Sequence, residues 1–200
     1  MLGRLLFLLL GVVLILIAGG FLLPRTVVVE RTILIEQPPE LVHAVMRDFR
    51  HLEHWSPWHA RSPEAGYRLE GPAQGPGATL VWGGGEAGGE SGRLWIESEL
   101  APRRIDLRME LGETSEAESW FEIVPSGLDS EVSWGMRMHF GTFDLTGRYL
   151  GLMLPGLVGR DYQAGLERLK AYLEARPRGV EPNLEHQPGP EDELLPVSTP

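Results

Sequence analysis

Cysteine is absent from the 200-residue chain, which excludes disulfides, thiolate nucleophiles and cysteine-ligated zinc and leaves the redox compartment open. Lysine is almost absent too, Lys170 being the only one. The 18 Lys and Arg residues face 28 Asp and Glu, giving a net charge of -10. No nucleic-acid partner is expected, because phosphate binding needs concentrated Lys and Arg and here they are few and scattered. A catalytic constellation is also missing. Ser56 has histidines nearby but no G-x-S-x-G elbow around it, and the carboxylates sit on strand patterns as solvated residues.

One long apolar run is present. Leu5 to Leu23 is 19 residues of apolar side chains and glycine with no charge inside, flanked by Arg4 and by Pro24 with Arg25. As a helix it reaches about 29 Å, close to the hydrocarbon thickness of a bilayer. Residues 1–25 therefore read as a single membrane-spanning anchor. A secretory signal peptide is the rival, since Ala18-Gly19-Gly20 offers small residues for cleavage. The short basic flank and the apolar Phe21-Leu22-Leu23 beyond the cleavage point oppose it. Orientation has little charge asymmetry behind it, because Arg4 and the amino terminus oppose Arg25 and Arg31. The amino-terminal flank points to an extracytoplasmic location for the rest of the chain.

The remainder alternates in the manner of one α+β domain over residues 26–176. Val27–Val29 and Ile33–Ile35 read as a strand, and Pro38-Pro39-Glu40 opens a helix with Val42, Val45, Met46 and Phe49 on one face. A short helical turn at Leu52 to Trp55 ends before Pro57. Strands are expected near 67–70, 78–82, 93–100, 105–111, 118–124 and 132–140, making seven in antiparallel order with one wet and one buried face. In the strand from Arg93, the pattern puts Leu94, Ile96 and Ser98 on one side and Arg93, Trp95 and Glu97 on the other. Helices are expected at 144–154 and, after an interruption at Pro155-Gly156, at 158–175, where Tyr162, Leu166, Leu169 and Leu173 form an apolar stripe. Residues 177–200 hold six prolines and five acidic residues and read as a disordered tail.

Several motifs resolve toward structure rather than chemistry. Gly83, Gly85 and Gly88 spell G-x-G-x-x-G, but a strand rather than a helix follows and Glu86 and Glu90 would repel phosphate, so a hairpin turn is the reading. His51, His54 and His59 have the spacing of a metal site. Trp55 and Pro57 instead indicate a packed corner with these rings at its rim, and no metal is assigned. Glu97 with Glu99, and Asp106 with Glu110, fall on the outward face by alternation.

The better signal is an apolar cavity. Trp134, Met136 and Met138 on one strand and Ile105, Leu107 and Met109 on another face the last helix, and methionine suits irregular apolar space. The same residues would also fill a solid core. Gly165 favours a close approach, since a glycine inside a helix costs about 1 kcal/mol against alanine.

The strings Val29-Glu30-Arg31-Thr32-Ile33-Leu34-Ile35, Pro38-Pro39-Glu40-Leu41-Val42, Trp55-Ser56-Pro57-Trp58 and Gly159-Arg160-Asp161-Tyr162-Gln163-Ala164-Gly165-Leu166-Glu167-Arg168-Leu169-Lys170 carry a resemblance. They resemble membrane-anchored members of the SRPBCC, or START-like, superfamily, also called polyketide cyclase/dehydrase and lipid transport. The resemblance spans about residues 27–175. It implies a helix-grip fold, a curved seven-stranded sheet wrapped around a long C-terminal helix, and an apolar ligand such as a lipid, sterol or polyketide. It assigns no catalytic residue, no cofactor and no chemical role to Trp55, Ser56, Pro57 or Trp58; Trp55 and Trp58 stand with Gly165 among the cavity candidates. The leading expectation is a membrane-tethered domain binding a lipid or other apolar small molecule. A cyclase or hydrolase using His54, His59 or Arg137, and an interaction protein acting through the sheet or acidic tail, are the alternatives.

Overall fold

A computed structural model of the chain describes residues 2–83, 91–112 and 115–181. An apolar helix α1 (Leu2–Leu22) leads directly into strand β1 (Thr26–Ile35). Helix α2 (Pro39–Met46), a single 3-10 turn (Phe49–His51) and the short helices α3 (Leu52–Trp55) and α4 (Pro57–Arg61) come after it. Six strands are next: β2 (Arg68–Glu70), β3 (Thr79–Trp82), β4 (Gly92–Leu100), β5 (Arg104–Leu111), β6 (Ser115–Ser126) and β7 (Asp129–His139). Helices α5 (Leu145–Gly151) and α6 (Leu154–Glu174) end the described elements.

All seven strands form one antiparallel sheet in the order β1-β7-β6-β5-β4-β3-β2. The expected strand count and the wet and buried faces are what the sheet has. Its inner face is built by the alternating set: Val29 and Ile35 on β1, Trp134 and Met136 on β7, Phe121 and Ile123 on β6, Ile105 and Leu107 on β5. Against it lie α6, through the fully buried stripe Tyr162, Leu166, Leu169 and Leu173, and α2, through Val42, Val45 and Met46. Burial of these stripes, rather than intrinsic propensity, is what holds such helices.

Three local expectations need correction. The first concerns β4, where Ile96 pairs with Leu107 and Ser98 with Asp106, leaving Glu97 as an extra residue. This bulge reverses the alternation, so Ser98 joins Asp106 outside and Glu99, opposite Ile105, turns inward instead of outward. The second concerns Pro155, which does not interrupt a helix but sits in the first turn of α6, where no amide hydrogen is required. The third is α4, which the sequence pattern does not reveal: the buried Ser56 caps it by accepting from the amide of His59 at 3.4 Å, with Pro57 in the first turn.

After α6, Arg178 donates to the carbonyl of Leu128 and to Asp129, both at 2.7 Å, and the amide of Gly179 donates to Gln37 at 2.9 Å. The rest of the expected tail, 182–200, lies outside the described residues, as do Gly85 and Gly88 of the glycine motif.

Candidate ligand-binding site

The inner face of the sheet is built around Trp134. Its indole stacks on Tyr162 of α6 at 4.1 Å and 9°, and meets Trp55 at 5.6 Å and Trp58 at 5.5 Å in near-perpendicular, edge-type contacts. Phe121 tilts against it at 5.2 Å. Offset stacks and edge contacts of this kind add to burial because the positive ring edge meets the negative face. Gly165 is what admits the arrangement: a Cβ there would lie 2.7 Å from the Trp134 ring and 3.0 Å from Pro57. The close approach expected of this glycine is therefore made to the sheet. Trp55, Ile105, Leu107, Trp134 and Met136 are buried in this centre, among protein atoms.

The inner face changes character toward the end of the sheet where β1 begins. Leu94, Met109, Ala117, Met138 and Val27 stand in register across five strands, on the same face. Ala117 is buried, while Leu94, Met109, Met138 and Val27 are only half-buried, as is Trp58 near the centre. Leu154 and Val158 of α6 are half-buried against the same core. An apolar row on the inner face is thus left partly uncovered, close in the chain to the end of α1 at Leu22. The cavity candidates divide accordingly: Met109 and Met138 lie in the open row, and the others pack the centre.

Two donors are buried within the aromatic centre without a hydrogen-bond partner among the described residues, the indole N–H of Trp55 and the hydroxyl of Tyr162. Burial pushes the Tyr162 phenol above its ordinary value; Ser119 and Trp134 beside it oppose the shift but complete no hydrogen bond. Ser119 instead donates to the Gly135 carbonyl at 2.8 Å. An unpaired buried donor costs about 1–3 kcal/mol, a cost the ring packing of the centre offsets.

The outer face is of a different kind. Arg137 lies there, within 3.5 Å of Glu118 and with its guanidinium 5.6 Å from the centre of the Trp120 ring. A groove of about 410 Å³ on this face is lined by paired charges, including Arg108 with Glu97 and Arg104 with Asp106, and by Trp120, whose indole N–H donates to Glu30. It is polar, unlike the apolar inner row.

A family model described as polyketide cyclase / dehydrase and lipid transport matches residues 26–174. The chain belongs to this family. Its fold recurs in a solution structure from Thermobifida fusca, at 20% identity and TM-score 0.55, covering 77% of this chain and 98% of that one. It recurs in protein CV1439 from Chromobacterium violaceum, at 15% identity and TM-score 0.52, with 76% and 99% covered. The di-domain ARO/CYC StfQ of the steffimycin biosynthetic pathway is similar at 12% identity and TM-score 0.55, over 76% of this chain and 52% of that one. At such identities the likeness is one of fold. Comparison with curated proteins gives no match.

Within this member of the polyketide cyclase/dehydrase and lipid transport family, the three histidines do not form one site. His51 is buried rather than at the rim, with Nδ1 2.9 Å from the Tyr172 hydroxyl; His54 stacks on Tyr172 at 4.8 Å; and His59 stacks on Tyr67 at 3.7 Å. A half-buried polar group that the alternation hides is Glu99, which accepts from Arg47 at 2.6 and 2.9 Å and lies 3.9 Å from His43. Hydrogen bonding from Arg47 holds Glu99 below the usual carboxylate range.

Burial lowers His43, His51 and His59 from the ordinary histidine value of 6.5. Their unfolded forms bind protons first as pH falls, so the stability they contribute is full above 6.5 and is lost as pH falls through their lower folded values. Melting temperature is expected to decline as buffer pH is taken from neutrality to about 5, and His51→Gln should flatten that decline. Thermal melts across this range, read by circular dichroism, check both; an unchanged slope in the variant would remove His51 from the account.

Proposed function

We propose that the protein is a membrane-tethered binding module that holds a lipid or another apolar small molecule against the inner face of its sheet. The observation that carries this is the half-buried row Leu94, Met109, Met138 and Val27, apolar surface left open at the end of the sheet that adjoins α1. An apolar surface of this kind favours an apolar occupant, and methionine adapts to varied shapes.

The anchor reading of α1 has support beyond length and composition. Arg148, only 1% exposed, donates to the carbonyls of Gly20 and Phe21 at the end of α1, and the Tyr149 hydroxyl donates to the Leu16 carbonyl at 2.7 Å. Cleavage after Gly20 would take the Leu16 carbonyl from Tyr149 and the Gly20 carbonyl from Arg148, leaving Arg148 that of Phe21. Residues 1–25 then serve as tether and 26–176 as the ligand-holding unit, on the extracytoplasmic side.

Native mass spectrometry of the full chain released from detergent tests the reading. Wild-type protein is expected to carry an apolar adduct that Met109→Trp with Met138→Trp loses, because two indoles would fill the open row. A wild type free of adduct at every detergent condition would sink the proposal.

A further inference from the structure

The surface beside α1 carries more exposed apolar area than a solvated surface needs. From Phe140 to Gly159 the only ionisable acids and bases are Asp144, Arg148 and Tyr149. Asp144 caps α5 by accepting from the amide of Gly147 at 2.8 Å, and the Arg148 guanidinium is turned inward onto backbone carbonyls. Only the Arg148 charge is withdrawn from the surface; Asp144 stays exposed at the start of α5. Phe143, Leu150, Leu152, Met153 and Leu157 are 84%, 58%, 57%, 58% and 50% exposed. They are contributed by the loop before α5, by α5, by the turn into α6 and, for Leu157, by the start of α6 itself. Their density is that of a contact surface, since large apolar residues on a solvated surface stand singly.

The attachment of this surface to α1 identifies its cover. Phe143 meets Phe21 edge to face at 6.3 Å, and Leu145 lies against Gly20. The Tyr149 hydroxyl reaches the carbonyl of Leu16, six residues before the end of α1, which is about 9 Å along a helix axis. If α1 crosses a bilayer with Leu5 to Leu23 in the hydrocarbon, the Tyr149 hydroxyl reaches about 9 Å below its edge, which holds α5 down at the acyl boundary.

We propose that α5 and its turn into α6 form a second membrane contact, an interfacial apolar shelf fused to the anchor, whose partner is the phospholipid bilayer itself. This rests on the reading of α1 as an anchor and goes beyond it. The anchor alone needs no other contact, whereas the shelf sets the unit down on the bilayer with Val27, Met138, Leu154 and Val158 next to it. The half-buried row then opens toward lipid rather than toward water.

The absence of cysteine makes the test clean, because a single introduced thiol is the only labelling site. Full-length protein carrying Leu152→Cys or Met153→Cys, both exposed positions, is labelled with an environment-sensitive fluorophore and reconstituted in phosphatidylcholine vesicles. Leu10→Cys in α1 and Leu128→Cys, 76% exposed at the opposite end of the sheet, serve as references. Replacing the lipid by phosphatidylcholine brominated on one acyl chain is expected to quench the labels at 10, 152 and 153, with about half the emission lost at the two shelf positions, which sit at the acyl boundary. The label at 128 should be unaffected. Quenching at 10 with none at 152 or 153 overturns the shelf while leaving the anchor intact. Loss of residue 10 from the mature chain, or no quenching there, overturns the anchor and the shelf together.

Discussion

Trp134→Ala is expected to destabilise the fold by about 3–5 kcal/mol, the range for removing a large aromatic from a closed core. The indole is 3% exposed and lies among the rings of Tyr162, Trp55 and Trp58, so its removal takes away both burial and ring geometry. The surroundings cannot collapse easily. Gly165 supplies no side chain to move in, and Tyr162 is fixed on the buried stripe of α6. Denaturant unfolding of the full chain in micelles, followed by far-ultraviolet circular dichroism, measures the loss. A cost below about 1 kcal/mol would mean that the ring borders empty space rather than packed atoms, and the centre would then have to be counted as part of the ligand cavity.

Arg148→Ala is the second large effect. Its guanidinium serves four carbonyls, those of Gly20 and Phe21 at the end of α1 and those of Gly141 and Thr142 in the loop before α5. Helix ends carry carbonyls with no partner inside the helix, and a cation there also meets the negative end of the helix dipole. The carbonyls of Gly20 and Gly141 also accept from the amides of Leu23 and Asp144, so the substitution strands those of Phe21 and Thr142, and at about 1–3 kcal/mol each the total cost is about 2 kcal/mol or more. Arg148→Lys should recover little, because an ammonium cannot reproduce the planar fork. The direct readout is a spin-label distance between Val13→Cys on α1 and Leu128→Cys on the far turn, both exposed. The native protein should give a narrow distribution and the alanine variant a broad one. An equally narrow distribution in both would show that other contacts fix the joint.

Periodicity in the sequence carries the sheet and the α6 stripe, because a half-buried strand and a helix packed on one face each leave a repeat that burial enforces. Pairing Trp134 and Met136 with Ile105 and Leu107 on one inner face is legible for the same reason. The extra residue at Glu97 is not, since a bulge is a backbone event that leaves no trace in side-chain type, and with it goes the inward turn of Glu99 and its bond to Arg47. In sequence, Tyr162 is one member of an apolar stripe. Its buried, unpaired hydroxyl depends on what the sheet presents opposite, which local sequence does not encode. Arg148 resembles an ordinary helix charge. Its isolation in an otherwise apolar stretch is the available signal, because a lone cation among apolar neighbours must find acceptors in the backbone.

The Arg148 joint has a mechanical consequence. A flexible linker would decouple the helix from the sheet, but four hydrogen bonds from one guanidinium make the connection a bracket. In a bilayer, a helix longer than the local hydrocarbon thickness accommodates by tilting. With a bracket at its end, that tilt is passed on as a rotation of the whole sheet about the membrane surface. On the proposed reading of α1 as an anchor, bilayer thickness would then act as a steering variable, setting the angle at which the half-buried apolar row meets the lipid.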